Sequence, residues 1–207
     1  MATYKMPDAM MVGSIALRVK NIEKVLTFYE RNLGLQVCRR YISNPGIDIH
    51  RDGDDACYAI YELGFKGKNN YSSPIDPLLI LKHDPDAKKP QSVRNAAGLF
   101  HFAILVPNRK NLALTYLAVK NSGIQYDGFA DHLVSESLYL RDPEDNGIEI
   151  YCDRPVNDWP RNFECRIIMD TLPLDLNSLL SDITTEEIKN NSGHSISRWS
   201  KDRTRTP

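Results

Sequence analysis

The chain has 207 residues, enough for one sizeable domain or for two small modules sharing a core, with a segment to spare. Hydrophobic residues make up 42% and charged residues 26%, and a formal net charge of -1 lacks the basic surplus that nucleic-acid binding draws on. No apolar run is long enough to span a bilayer, and four cysteines (Cys38, Cys57, Cys152 and Cys165) without CxxC spacing point to reduced thiols in a cytoplasmic protein.

The first readable element begins after Ser14, where Ile15, Leu17 and Val19 alternate as a half-buried strand. Ile22, Val25, Leu26, Tyr29 and Leu33 then follow helical spacing, with Asn21 placed as N-cap and Gly34 as the stop. "ACYAIYEL" and "PLLILKH" read as strands of the same unit. From His101 the grammar returns. Phe102, Ile104 and Val106 alternate, Asn108 stands at the cap position, Leu112, Tyr116 and Leu117 share a helical face, and Gly123 ends the helix. "SESLYLRD" and "GIEIY" follow as strands joined by Asn146-Gly147, a tight-hairpin signal.

This internal repeat predicts an α+β fold of two βαβββ modules, residues 11–95 and 96–155, with a C-terminal extension over 156–207. One amphipathic helix shields only one face of a sheet, so the two modules are expected to pair into one domain with a concave mixed sheet. Side chains alternate along a strand, so His101 falls on the face opposite Phe102 and Ile104. Glu149, between Ile148 and Ile150, falls on that same face with Tyr151. A histidine and a carboxylate sharing a face suggest a metal site or an acid/base pair. A solvated carboxylate and a hydrogen-bonded structural histidine are the plain alternatives.

These residues, with "GLFHFAILVPNRKNLA", "DHLVSESLYLRDPEDNGIEIYCDRP" and "PLDLNSLL", resemble the vicinal oxygen chelate superfamily, which includes glyoxalases, extradiol dioxygenases and fosfomycin-resistance proteins. The stretches are similar to the amino-terminal half of bacterial catechol 2,3-dioxygenase-like proteins, over about residues 11–181. The resemblance implies metal ligands at the positions of Ser14, His101 and Glu149, holding Fe(II) or Mn(II) for a small aromatic, catechol-like ligand. Ser14 departs from the family's histidine. A glyoxalase-type member would carry a glutamate near Ile80, so that reaction is disfavoured.

Two functions follow from the resemblance. One is a metal-dependent extradiol dioxygenase, its third ligand drawn from His132, His194, water or another chain, with Tyr139, Tyr151 and His132 contacting substrate. The other is a non-catalytic binding or assembly module with a degenerate metal site. Asp131-His132 also reads as a local turn network, and "DPEDNG" departs too far from a calcium loop to be one. No nucleic acid or membrane partner is expected, and modules of this size commonly form homodimers. "RIIMDTLPLDLNSLL" is apolar enough to dock on the domain or a neighbour, whereas the polar stretch from Ser181 onward is expected to be mobile.

Overall fold

The computed structural model describes residues 13–43, 58–64, 78–88 and 97–192. The chain divides into two compact units, Met1–Glu30 with Gly34–Pro90, and Arg31–Leu33 with Gln91–Pro207.

In the first unit, strand β1 (Ile15–Val19) leads into helix α1 (Ile22–Thr27), followed by β2 (Gln36–Ser43), β3 (Tyr58–Gly64) and β4 (Leu79–His83). The sheet order is β1-β4-β3-β2, with β1 parallel to β4 and the other pairs antiparallel. Register places Leu17 and Tyr61 beside Leu81, and Leu63 beside Leu79, all buried. Ala16 and Arg18 project from the opposite side and are exposed. Asn21 caps α1 by accepting from the Lys24 amide at 3.1 Å. The helix then widens into a π-type turn over Phe28–Asn32, which rotates the buried face. Phe28, Tyr29 and Leu35 are therefore buried, while Leu26 and Leu33, expected on that face, are only half-buried.

The second unit repeats this plan. It contains β5 (Phe102–Leu105), helix α2 (Arg109–Asn121), β6 (Tyr126–Asp131), β7 (Ser135–Arg141) and β8 (Gly147–Asp153). A two-residue strand, β9 (Leu172–Pro173), extends the edge, and the order is β5-β8-β7-β6-β9 with β5 parallel to β8. Phe102 pairs with Ile148 and Ile104 with Ile150, and Leu138 and Leu140 continue this buried face across β7. Leu112, Ala113, Tyr116 and Val119 are the buried residues of α2, which lies against β8. Leu117, expected among them, is half-buried because Val119 completes the face instead. Each fully buried leucine contributes about 1.5–3 kcal/mol. Both units are thus βαβββ modules, and the chain is α+β.

The β7–β8 connection corrects the expected turn. Arg141 pairs with Gly147, so the loop is Asp142–Asn146, and Asp145 takes the left-handed conformation at φ 76°. Asp142 organises it, one carboxylate oxygen accepting from the amides of Glu144 and Asn146 and the other from the Asn146 side chain, each at 2.9 Å. Those bonds engage both carboxylate oxygens within the turn.

Beyond β8 the extension stays with the second unit. Helix α3 (Leu176–Leu180) and helix α4 (Thr185–Ser192) follow β9, and Leu174, Leu179 and Ile183 are buried. α4 lies in a stretch expected to be mobile. The side chains of Thr184 and Glu187 cap its start reciprocally. His50, Cys57, Gly193, His194 and the residues that follow His194 lie outside the described residues. No helix among the described residues is long and apolar enough to cross a membrane.

Candidate functional site

The parallel pairing of β5 with β8 positions the site. Ala103 pairs with Glu149, so His101, two residues earlier on the same face, stands beside Gly147 and Glu149. Gly147 is required here by packing. A Cβ at that position would lie 2.4 Å from the Phe100 carbonyl oxygen and 3.2 Å from His101 Cβ, so β5 can come this close only to glycine.

His101 Nε2 lies 3.0 Å from Glu149 Oε2. The other carboxylate oxygen accepts from the Tyr139 hydroxyl at 2.7 Å, because Tyr139 is Glu149's cross-strand neighbour on β7. Tyr139 Oη is also 2.8 Å from His132 Nε2, and His132 Nδ1 is 2.9 Å from the Asp170 carbonyl oxygen. Tyr139 is therefore hydrogen-bonded to Glu149 and in contact with His132, and His101 stands against the other Glu149 oxygen, so the four side chains form one contiguous polar cluster. Burial, with the hydrogen bond to Glu149 second, pushes the Tyr139 phenol up to about 12, so it stays protonated at neutral pH.

A cavity of about 400 Å³ opens beside this cluster, lined by Phe100, His101, His132, Tyr139, Arg141 and Thr171 among others. That volume lies in the range of small-molecule sites, roughly 300–1,000 Å³. Arg141 is held in the wall by Asp127 at 2.7 Å and by the Asp145 carbonyl at 2.9 Å. Phe100 is 82% exposed and its ring centroid lies 5.0 Å from that of His101, giving the cavity a flat apolar surface.

Four of the six expected site residues are brought together: His101, Glu149, Tyr139 and His132. Tyr151 shares the Glu149 face of β8 but takes no part in that polar cluster; burial, then the charges of Asp153 and Glu149, raise its pKa. Ser14 belongs to the first unit, where it is exposed just before β1. Ile80 is half-buried beside Ala16 and Glu62, and Glu62 pairs with Arg39 across the strands. His83 is the last residue of β4, within the stretch read as a strand.

Asp131-His132 does build the expected turn, since Asp131 Oδ1 accepts from the Leu133 amide at 2.8 Å and Leu133 sits at φ 67°. The same turn also delivers the imidazole to Tyr139. Sequence reasoning missed Arg141, Phe100 and the Asp170–Thr171 segment. "GLFHF" held a signal for Phe100 in an aromatic next to His101, but a backbone carbonyl such as that of Asp170 leaves no mark in a sequence.

Fe(II) and Mn(II) prefer imidazole and carboxylate donors in six-coordinate sites. Two cis donors, each roughly 2.1 Å from such an ion, stand roughly 3 Å apart. The separation of His101 Nε2 from Glu149 Oε2 matches that spacing. Among the described residues, no group of three or more His, Cys, Asp and Glu is placed to hold a metal ion. The described residues thus bring together one imidazole and one carboxylate donor at a spacing compatible with such an ion, and no third.

Sequence comparison agrees with this architecture. The family model of the Glyoxalase/Bleomycin resistance protein/Dioxygenase superfamily matches residues 11–150, and the chain belongs to that superfamily. A curated relative, Catechol-2,3-dioxygenase of Bacillus subtilis (strain 168), is 34% identical over 175 residues, which is 84% of this chain and 53% of the relative. The chain thus spans about half the length of that protein. Among solved structures, a glyoxalase/dioxygenase from Nostoc punctiforme superposes with a TM-score of 0.54 at 16% identity, covering 75% of this chain and 99% of its own. A glyoxylase/bleomycin resistance protein/dioxygenase domain from Frankia sp. EAN1pec gives 0.54 at 15% identity, covering 72% and 96%. At such identities the likeness concerns the fold.

Proposed function

We propose that this chain is a module of the extradiol, catechol-type dioxygenase class, binding a small hydroxylated aromatic at the second sheet. His101 and Glu149 would supply two of the ligands for Fe(II) or Mn(II). The observation that carries the reading is the 3.0 Å approach of His101 Nε2 to Glu149 Oε2 beside a cavity of about 400 Å³. The 34% identity to a catechol-2,3-dioxygenase supports an aromatic ligand.

When bound, the metal would supply Lewis-acid polarisation of two vicinal oxygens. The chain's own residues orient the ligand and handle its proton. Phe100 and the His101 ring offer a flat surface against which an aromatic ring can lie. Tyr139, protonated at neutral pH, donates toward Glu149 and steadies the carboxylate in one orientation. His132 Nε2, at 2.8 Å from the same hydroxyl, is the acceptor through which a phenolic proton leaves the cavity. Tyr151 flanks Glu149 on the same strand face.

Oxygen consumption with catechol, in protein loaded with Fe(II) or Mn(II), tests this function. Ring cleavage is expected, and abolished by Glu149→Ala. Ser14 itself favours a second reading, a module that binds the aromatic without turning it over, because a neutral hydroxyl replaces imidazole at the first ligand position. Stoichiometric catechol binding by calorimetry with no oxygen consumption in metal-loaded protein would support that second reading and overturn the first.

A further inference from the structure

We infer that the C-terminal extension is a working part of this site: the Asp170 backbone carbonyl fixes His132 with its proton on Nδ1 and turns Nε2 toward Tyr139. The inference rests on the reading of the second sheet as a binding site and adds a positioning segment to it.

A carbonyl oxygen can only accept, so the 2.9 Å contact between His132 Nδ1 and Asp170 is a hydrogen bond only when Nδ1 carries the proton. With Nδ1 protonated, Nε2 of the neutral ring is an acceptor, and the Tyr139 hydroxyl then lies between two acceptors, Nε2 at 2.8 Å and Glu149 Oε1 at 2.7 Å. A single phenolic proton serves either neighbour. The opposite tautomer would let Nε2 donate to the Tyr139 oxygen, but it would leave Nδ1, without a proton, 2.9 Å from the carbonyl oxygen.

The carbonyl is held from both sides. After it, β9 pairs with β6 through Leu172 with Asp131 and Pro173 with Ala130. Before it, Ile168 donates to the Pro160 carbonyl at 2.8 Å, and Arg161 bridges Ile167 around a turn built on the Asn162 side chain. His132 is fixed just as firmly, its amide donating to the Ser135 carbonyl at 2.8 Å within the β6–β7 turn. Thr171 adds a weaker contact, its hydroxyl 3.4 Å from Nδ1.

Nitrogen-15 NMR of the histidine rings in the full chain reads the tautomer directly and needs neither metal nor turnover, so its outcome is independent of whether the protein is a dioxygenase. At a pH where the ring is neutral, His132 is expected to show a protonated, pyrrole-like Nδ1 and a pyridine-like Nε2. Tyr139→Phe should leave that pattern unchanged, since Asp170 sets it. Deleting Thr171 shifts Asp170 out of register with β9, and the Nδ1–H pattern should be lost while the far-ultraviolet dichroism is retained. A pyridine-like Nδ1 in the wild type, or a switch of tautomer in Tyr139→Phe, would overturn the inference. So would an Nδ1–H pattern that survives the deletion. If the deletion variant does not fold, Tyr139→Phe still decides between the two neighbours.

Discussion

Glu149 is a strand carboxylate whose two oxygens meet different partners, His101 on one side and Tyr139 on the other. That arrangement gives Tyr139 a measurable signature. Its pKa is raised from 10.0 to about 12 in the folded chain, chiefly by burial. A folded-state pKa above the unfolded value means stability that is fully present below pH 10 and lost as pH rises toward 12. Denaturation at pH 9 and pH 11.5 should therefore show a smaller alkaline loss in Tyr139→Phe than in the wild type, and equal losses would contradict the assignment. Much of this site was legible at residue level. Period-two alternation alone put His101 and Glu149 on one face. His132 was harder, because the Asp131 turn and the contact to Tyr139 use the same dipeptide and only the fold reveals that both are made. Arg141 and Asp170 act through loop geometry and a backbone carbonyl, which residue identity does not encode.

At the scale of elements, the approach of β5 to β8 is the critical packing event, and Gly147 permits it. Gly147→Ala would drive a methyl into the Phe100 carbonyl at 2.4 Å, with backbone rather than a flexible side chain in the way. A loss of about 1–3 kcal/mol is expected, with displacement of the His101 resonances, and a wild-type melting temperature would refute it. Sequence had marked Gly147 for a different reason, as half of an Asn-Gly turn, and the five-residue loop organised by Asp142 shows why that reading failed. Caps and stops were read correctly at Asn21, Asn108, Gly34 and Gly123, since local chemistry decides them: both asparagines cap, and both glycines have positive φ. β2 and β6, which the βαβββ plan requires, were not placed on residues, and the short β9 was not expected. "YDGFAD" carries a glycine and two aspartates, and it is a strand because β7 and β9 pair with it from either side.

Across the whole molecule, two copies of one βαβββ plan supply the scaffold and the extension completes the second of them. Arg109, at the start of α2, bonds Glu136 at 2.6 Å, the Ser178 carbonyl at 3.0 Å and Asp182 at 3.0 Å, tying α3 to the sheet. Leu179 is fully buried at that junction. Leu179→Ala should cost about 2–5 kcal/mol in a single cooperative transition; an unchanged main transition would mean that the extension folds independently. Superfamily membership follows from residues 11–150, and relatives within such a superfamily share a fold without sharing a reaction, so the site must decide the chemistry. The most direct measurement is metal content by mass spectrometry, in protein purified without chelator and resupplied with Fe(II) or Mn(II), for wild type and Glu149→Ala. Bound metal in the wild type, lost in Glu149→Ala, is expected if His101 and Glu149 are ligands. No bound metal even at millimolar supply, or equal metal in both proteins, would contradict it.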